Sequence, residues 1–185
     1  MPVLIAFLRG INVGGHAIVK MDALRALFVS LKFQEPQTYV QSGNIVFKTN
    51  ERSLPAIAVS IQRAIEKKFA CRPEVVLRTV EDLRGVVAKN PFAKRRDIEP
   101  GKLLVSFLAA APVKDAAASL RLMAISPEEL HLLDRELYIY FPNGMGKTKL
   151  PWSRLDKVLK TPGTGRNWNS VNAILAMAEK LQAQK

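Results

Sequence analysis

Two stretches, Val3 to Leu8 and Leu103 to Leu108, are apolar on both faces of any strand they form, with Ser106 the one polar exception. A strand with one solvated face alternates apolar with polar residues. These two do not alternate, so each is expected inside a sheet covered on both sides, each half of the chain covering the other's open face. This burial also predicts core positions for Phe7 and Phe47, which an RNA-recognition module would need exposed for base stacking.

The rest of the pattern is built around those two strands. Met21, Leu24, Leu27, Phe28 and Leu31 recur at helical spacing around Asp22, a candidate N-cap. Thr38 to Gln41 and Ile45 to Lys48 flank the hairpin-type turn Ser42-Gly43-Asn44. Ser53 is placed to cap a helix with Pro55 in its first turn and Ile57, Ile61, Ile65 and Phe69 on one face, and Glu74 to Arg78 closes the half as a strand. This order, β-α-β-β-α-β, is the split pattern of a ferredoxin-like sandwich. Thr79 and Asp82 predict a capping box for a helix that ends at Asn90-Pro91, because the residue before proline resists the α region.

The second half repeats the plan: strand Leu103 to Leu108, a helix from Pro112 to about Met123, then a hairpin of Glu129 to Leu133 with Glu136 to Phe141 around Asp134-Arg135. A helix from Pro151 to Lys160 follows, then an irregular stretch to Trp168 and a last helix from Asn169 or Ser170. Ser126-Pro127-Glu128-Glu129 reads equally well as a helix start, and the alternation of Leu130, Leu132, Leu137, Ile139 and Phe141 favours strands. The expected fold is α+β, a tandem duplication of two ferredoxin-like halves packed together, 1–89 and 102–185, joined by a linker over 90–101.

Composition narrows the function. With 48% hydrophobic residues the chain has ample material for a core. Cys71 is the sole cysteine, which excludes an internal disulfide, and with only His16 and His131 beside it the chain has too few soft ligands for a structural zinc site. Neither a metal nor a cofactor is expected, and a reducing cytoplasm fits. The apolar N-terminus lacks a preceding basic region and a following cleavage site, so it reads as a strand rather than a signal peptide. No apolar run approaches the roughly 18 residues that span a bilayer, so no membrane partner is expected. A formal charge of +12 and a pI near 10.1 favour anionic partners through long-range attraction. Both halves share the excess and there is no basic tail. Its denser clusters are Lys89, Lys94, Arg95, Arg96 and Lys102, and then Lys147, Lys149, Arg154, Lys157, Lys160 and Arg166.

Four polar loops are the candidate sites. Arg9-Gly10-Ile11-Asn12-Val13-Gly14-Gly15 follows a strand, but its glycine spacing does not fit the dinucleotide fingerprint and the next helix starts several residues later. Arg9 there is suited either to a bidentate phosphate or carboxylate contact or to pairing with an internal acid. Gly144-Met145-Gly146-Lys147-Thr148 imitates the end of a P-loop, yet Phe141 stands where the first glycine belongs and Pro151 interrupts the helix that should begin there. Gln41-Ser42-Gly43-Asn44 lacks the G-x-S-x-G context of a serine nucleophile and reads better as a turn. Arg166-Asn167-Trp168-Asn169-Ser170 sets an aromatic ring and amides at a helix N-terminus, where Trp168 serves either a ligand or a packed interface.

Five segments together resemble the bacterial family known as domain of unknown function 1697: L-R-G-I-N-V-G-G at 8–15, Y-V-Q-S-G-N-I-V-F at 39–47, N-P-F at 90–92, F-P-N-G-M-G-K-T-K-L at 141–150 and T-P-G-T-G-R-N-W-N-S-V at 161–171. The resemblance spans nearly the whole chain. It implies an α+β protein of two similar halves in a cytoplasmic setting, and it carries over no reaction, cofactor or catalytic residue.

The expected function is anion binding, with nucleic acid or a phosphorylated metabolite as partner, through loops between the two halves. Arg9, Gly10, Asn12, Gly14 and Gly15 would hold the anion beside Gln41, Ser42 and Asn44. Asn143, Lys147, Lys149 and Arg166 would supply donors and field, and Asn167, Trp168 and Asn169 an aromatic and amide surface. The alternative is a small-molecule enzyme with an inter-half cleft, in which Arg9 and Asn12 hold a phosphate or carboxylate and Tyr39 or Ser42 moves a proton.

Overall fold

The structure, a computed structural model, describes residues 1–13, 18–123 and 127–184. The fold is mixed α+β, with two four-stranded antiparallel sheets and, among the described residues, six α-helices. No helix among those residues is long and apolar enough to cross a membrane. Two compact units divide the chain, one of Met1–Gly85 with Asn172–Lys185 and the other of Val86–Val171.

In the first unit the elements run β1 (Val3–Arg9), α1 (Met21–Ser30), β2 (Gln34–Tyr39), β3 (Asn44–Lys48), α2 (Leu54–Phe69), β4 (Glu74–Thr79) and α3 (Val80–Ala88), which passes into the second unit. The sheet order is β2-β3-β1-β4. One face of the sheet packs Leu4, Ala6, Leu8, Ile45 and Phe47 against Leu24, Leu27 and Phe28 of α1 and Ile57, Ile61 and Ile65 of α2. Phe28 meets Phe47 edge-on at 5.2 Å between ring centroids. Val3, Ile5 and Phe7 on the other face are buried too, as the lack of alternation predicts. The capping box closes as expected: Thr79 N–H donates to Asp82 Oδ2 at 2.9 Å and Asp82 N–H to Thr79 Oγ1 at 3.0 Å. Ser53 Oγ accepts from Ala56 N–H at 3.3 Å. Asp22, by contrast, is not an N-cap. The helix already starts at Met21, and Asp22 lies in its first turn, paired with Arg25.

The second unit holds β5 (Leu103–Leu108), α4 (Ala116–Arg121), β6 (Glu129–Leu133), β7 (Glu136–Tyr140), α5 (Trp152–Leu159) and β8 (Gly163–Asn167), in the sheet order β6-β7-β5-β8. The last helix, α6 (Trp168–Ala183), begins in this unit and ends in the first. Leu104, Leu108, Leu137, Ile139 and Phe141 pack against Ala116, Leu120, Leu155 and Leu159. The Glu129–Leu133 segment is a strand, although Ser126 in the ambiguous stretch before it lies outside the described residues. Asp134 takes the left-handed conformation (φ 52°) that tightens the hairpin. The expected helix from Pro112 is shorter, because a turn closed by Ala116 N–H on Val113 O precedes it.

The stretch before Trp168, expected to be irregular, is instead the edge strand β8. Its glycines hide it from any propensity or alternation argument and also explain its pairing. A Cβ on Gly163 would lie 2.4 Å from Ser106 Oγ, and one on Gly165 would lie 2.9 Å from Leu104 Cδ2. Side chains of β5 occupy the space that any other residue at these two positions would fill.

The segment after α3 lies on the second unit's sheet. Phe92 is buried and meets His131 edge-on at 5.0 Å. Tyr140 Oη donates to Asp97 O at 3.1 Å, and Tyr138 Oη donates to Val86 O at 2.8 Å. Arg95 joins Asp97 at 2.5 Å and Glu129 at 2.6 Å, with its guanidinium over the Phe92 ring at 5.6 Å.

Candidate functional site

The first two polar loops come together in the first unit. Strand β1 delivers Arg9 opposite Glu74 of β4 and Phe7 opposite Asn44 of β3, so the loops after β1 and before β3 leave the same end of the sheet. Gly10 turns the chain at φ 82° and is exposed. Asn12, itself at φ 54°, then joins three pieces: Nδ2 donates to Gln41 O at 2.8 Å and to Val19 O at 3.0 Å, and Oδ1 accepts from Val19 N–H at 2.7 Å. Leu8 N–H donates to Gly43 O at 2.8 Å. Gly43 has φ 73°, and a Cβ there would lie 2.8 Å from Ile11 Cδ1, so the two loops interlock through a glycine that nothing larger can replace.

Most polar groups of this cluster serve the loop itself. Asn44 is fully buried, with Nδ2 donating to Ser42 Oγ at 2.8 Å and Tyr39 O at 3.1 Å. Gln41 and Ser42 are exposed and Arg9 is half-buried. Gly14 and Gly15 lie outside the described residues.

The other two loops belong to the second unit. Register pairs Leu103 of β5 with Tyr140 of β7, and Leu104 with Asn167 of β8. The chain therefore leaves β7 and β8 at one end of the sheet, about 10 Å apart with β5 between them. After β7, Gly144 turns at φ 82° into a single 3-10 turn, Met145–Lys147, and α5 starts only at Trp152. The Gly-Lys-Thr sequence thus opens no long helix, consistent with the imperfect P-loop match. Thr148 Oγ1 donates to Glu128 Oε1 at 2.5 Å and accepts from Leu150 N–H at 3.0 Å, fixing the strap between Lys147 and Lys149. Asn143, Lys147 and Lys149 are exposed.

After β8, Asn167 is the N-cap of α6, its Oδ1 accepting from Ser170 N–H at 2.8 Å. Trp168 is half-buried and Asn169 exposed. Arg166 is buried, and its Nη1 donates to Thr164 Oγ1 and to Gly165 O, each at 2.8 Å. Burial pushes its guanidinium pKa down to about 10.

Residues 1–138 match the family described as "Protein of unknown function (DUF1697)". The chain belongs to this family. The DUF1697 match covers the loops at 8–15 and 39–47 and the N-P-F segment, and it ends before the loops at 141–150 and 161–171. A solved structure described as that of conserved bacterial protein SP0830 from Streptococcus pneumoniae is 20% identical, covers 96% of this chain and 98% of its own, and superposes with a TM-score of 0.73. At that identity the likeness concerns the fold alone. No curated protein matches the chain.

Two features of this DUF1697 chain escape a reading of its sequence. Trp152 is 44% exposed, its ring centroid 6.1 Å from that of Phe141, and its sequence neighbours Lys147, Lys149 and Arg154 are all exposed. Its place after Pro151 and before Leu155 looks like a core position, and only the boundary of α5 turns it outward. Arg78, at 1% exposure, is as buried as the apolar core around it; its Nη1 donates to Leu77 O at 2.9 Å. An arginine ending a short apolar strand reads as a solvated terminus, and the long pairing of β4 with β1 reverses that.

Proposed function

We propose that the chain binds phosphate-bearing partners, with single-stranded nucleic acid the leading class and a phosphorylated metabolite the second, at the strap Phe141 to Arg154 of the second unit. The observation that carries this reading is the exposed Trp152 ring on the same short strap as the exposed Lys147, Lys149 and Arg154. Among the described residues none of those three cations makes an ion pair with a carboxylate. An open aromatic face with adjacent cations stacks on a base and holds its phosphates. Exposed Met145 and Asn143 belong to the same strap. The enzyme alternative has no comparable support, since the Asn12 amide meant to orient a substrate makes three hydrogen bonds to the backbone of Gln41 and Val19.

We infer in addition that the two units descend from one ferredoxin-like βαββαβ ancestor. Element order and sheet order correspond, β2-β3-β1-β4 with β6-β7-β5-β8. Arg78 faces Ile5 across one central strand pair and Arg166 faces Val105 across the other, and each donates to the carbonyl of the residue before it.

The test of binding is a fluorescence-polarisation titration with labelled oligothymidylate over a range of salt. Each phosphate neutralised adds about 0.7 to the log-log slope for a single strand. A flat salt response with no affinity removes nucleic acid, and a thermal-shift series with nucleotides then decides for or against a small phosphorylated ligand.

A further inference from the structure

We propose that the outer edge of β6, with the groove between it and α4, receives an extended peptide as an added strand, whose C-terminal carboxylate is held by Arg121. The two sheets treat corresponding edges differently. In the first unit the edge strand β2 carries Pro36, a register shift between Gln34 and Gln37, and left-handed Glu35 (φ 49°), all of which spoil it as a template. In the second unit β6 pairs with β7 without a break from Glu129 to Leu133, and it has no proline, lysine or bulge. Half of its backbone donors and acceptors point away from β7 in a regular row, which is the arrangement that strand addition uses.

Beside this edge lies a groove of about 310 Å³ whose floor is Ala117 and Leu120 of α4 with Leu130 and Leu132 of β6. Leu122, just past α4 and next to the groove-lining Arg121 in the chain, is 84% exposed. Apolar side chains of an added strand would enter here at every second position.

Charge selects the end group. Glu128 also lines the groove, but its carboxylate accepts the Thr148 hydroxyl, and Glu129 is paired with Arg95. Arg121 lines the groove at the C-terminal end of α4, exposed and with no ion pair among the described residues. The register makes β6 parallel to β5, so α4, which connects them, ends near the start of β6. A peptide added antiparallel to β6 therefore finishes at that start, with its terminal carboxylate beside the Arg121 guanidinium.

The test is a phage-displayed library of random heptapeptides with free C-termini, selected against the full chain. Expected are binders with apolar residues at alternate positions, whose synthetic C-terminal amides bind at least about tenfold more weakly, as loss of a charge-assisted contact implies. Arg121→Gln should weaken the free acids by a similar factor and leave the amides unchanged, and amide-proton shifts should concentrate on Glu129 to Leu133. No enrichment over an unrelated bait overturns the proposal, as do binders indifferent to both the carboxylate and Arg121→Gln. Self-association through β6, seen as a dimer by sedimentation with the same amides perturbed, would assign the edge to a second copy instead and overturn it as well.

Discussion

The Asn12 side chain donates to the backbone carbonyl of Gln41 at 2.8 Å, a contact across 29 residues that locks the loop after β1 to the loop before β3. The same amide holds both the N–H and the C=O of Val19 just ahead of α1. One residue thus sets the geometry of the whole polar end of the first unit. A short amide that tolerates φ 54° and presents both donor and acceptor is the chemistry this position requires.

Asn12→Ala should lower stability by about 2 kcal/mol, because three backbone groups lose their partner and alanine resists the left-handed region. Thermal unfolding should show a fall of roughly 4 to 8 °C. Asn12→Gly, which relieves the backbone but restores no hydrogen bond, should fall between alanine and the parent.

Gly163→Ala should destabilise β8 by about 1–3 kcal/mol through overpacking against Ser106 and Leu108. Adding Ser106→Gly should recover part of that loss in urea denaturation. Additive losses in the double variant would show that the glycine matters for some reason other than this contact.

Asp97 titrates below the usual 3.8, because Arg95 hydrogen-bonds its carboxylate. The sign follows from linkage: a depressed acid contributes stability above its ordinary pKa and loses it as pH falls through the lowered value. Carbon-detected titration should place the Asp97 midpoint under 3.8 and return it toward that figure in Arg95→Gln, with the parent's stability advantage over that variant present above about pH 4 and vanishing as pH falls below it.

Trp152→Ala should weaken oligothymidylate binding by about 1–3 kcal/mol, the typical worth of one stacked base, while leaving the salt slope unchanged. Lys147→Ala should do the reverse, with a modest loss of affinity and a slope lower by about 0.7. Equal affinity in Trp152→Ala and the parent would detach nucleic acid from this strap.

The helices were legible where local chemistry acts alone. Ser53 with Ala56, and Thr79 with Asp82, are caps readable from neighbours a few residues apart. The β6–β7 hairpin showed in the alternation of Leu130, Leu132, Leu137 and Ile139. β8 did not, because Gly163 and Gly165 signal a loop until Ser106 and Leu104 are seen filling the space above them. Of the candidate site, the four loops stood out by composition, and their pairing at two sheet ends followed only from strand register.

Apolar runs, caps and turn residues act over a few positions, so element type, the two-sided burial of β1 and β5 and the basic character of the chain were already present in the order of residues. Exposure is a property of neighbours distant in sequence. The boundary of α5 turned Trp152 outward, and packing against other elements buried Arg78 and Arg166, committed Asn12 to tying two loops together and left the β6 edge regular while β2 was bulged. Those outcomes depend on which surfaces meet, and a linear pattern does not contain that information.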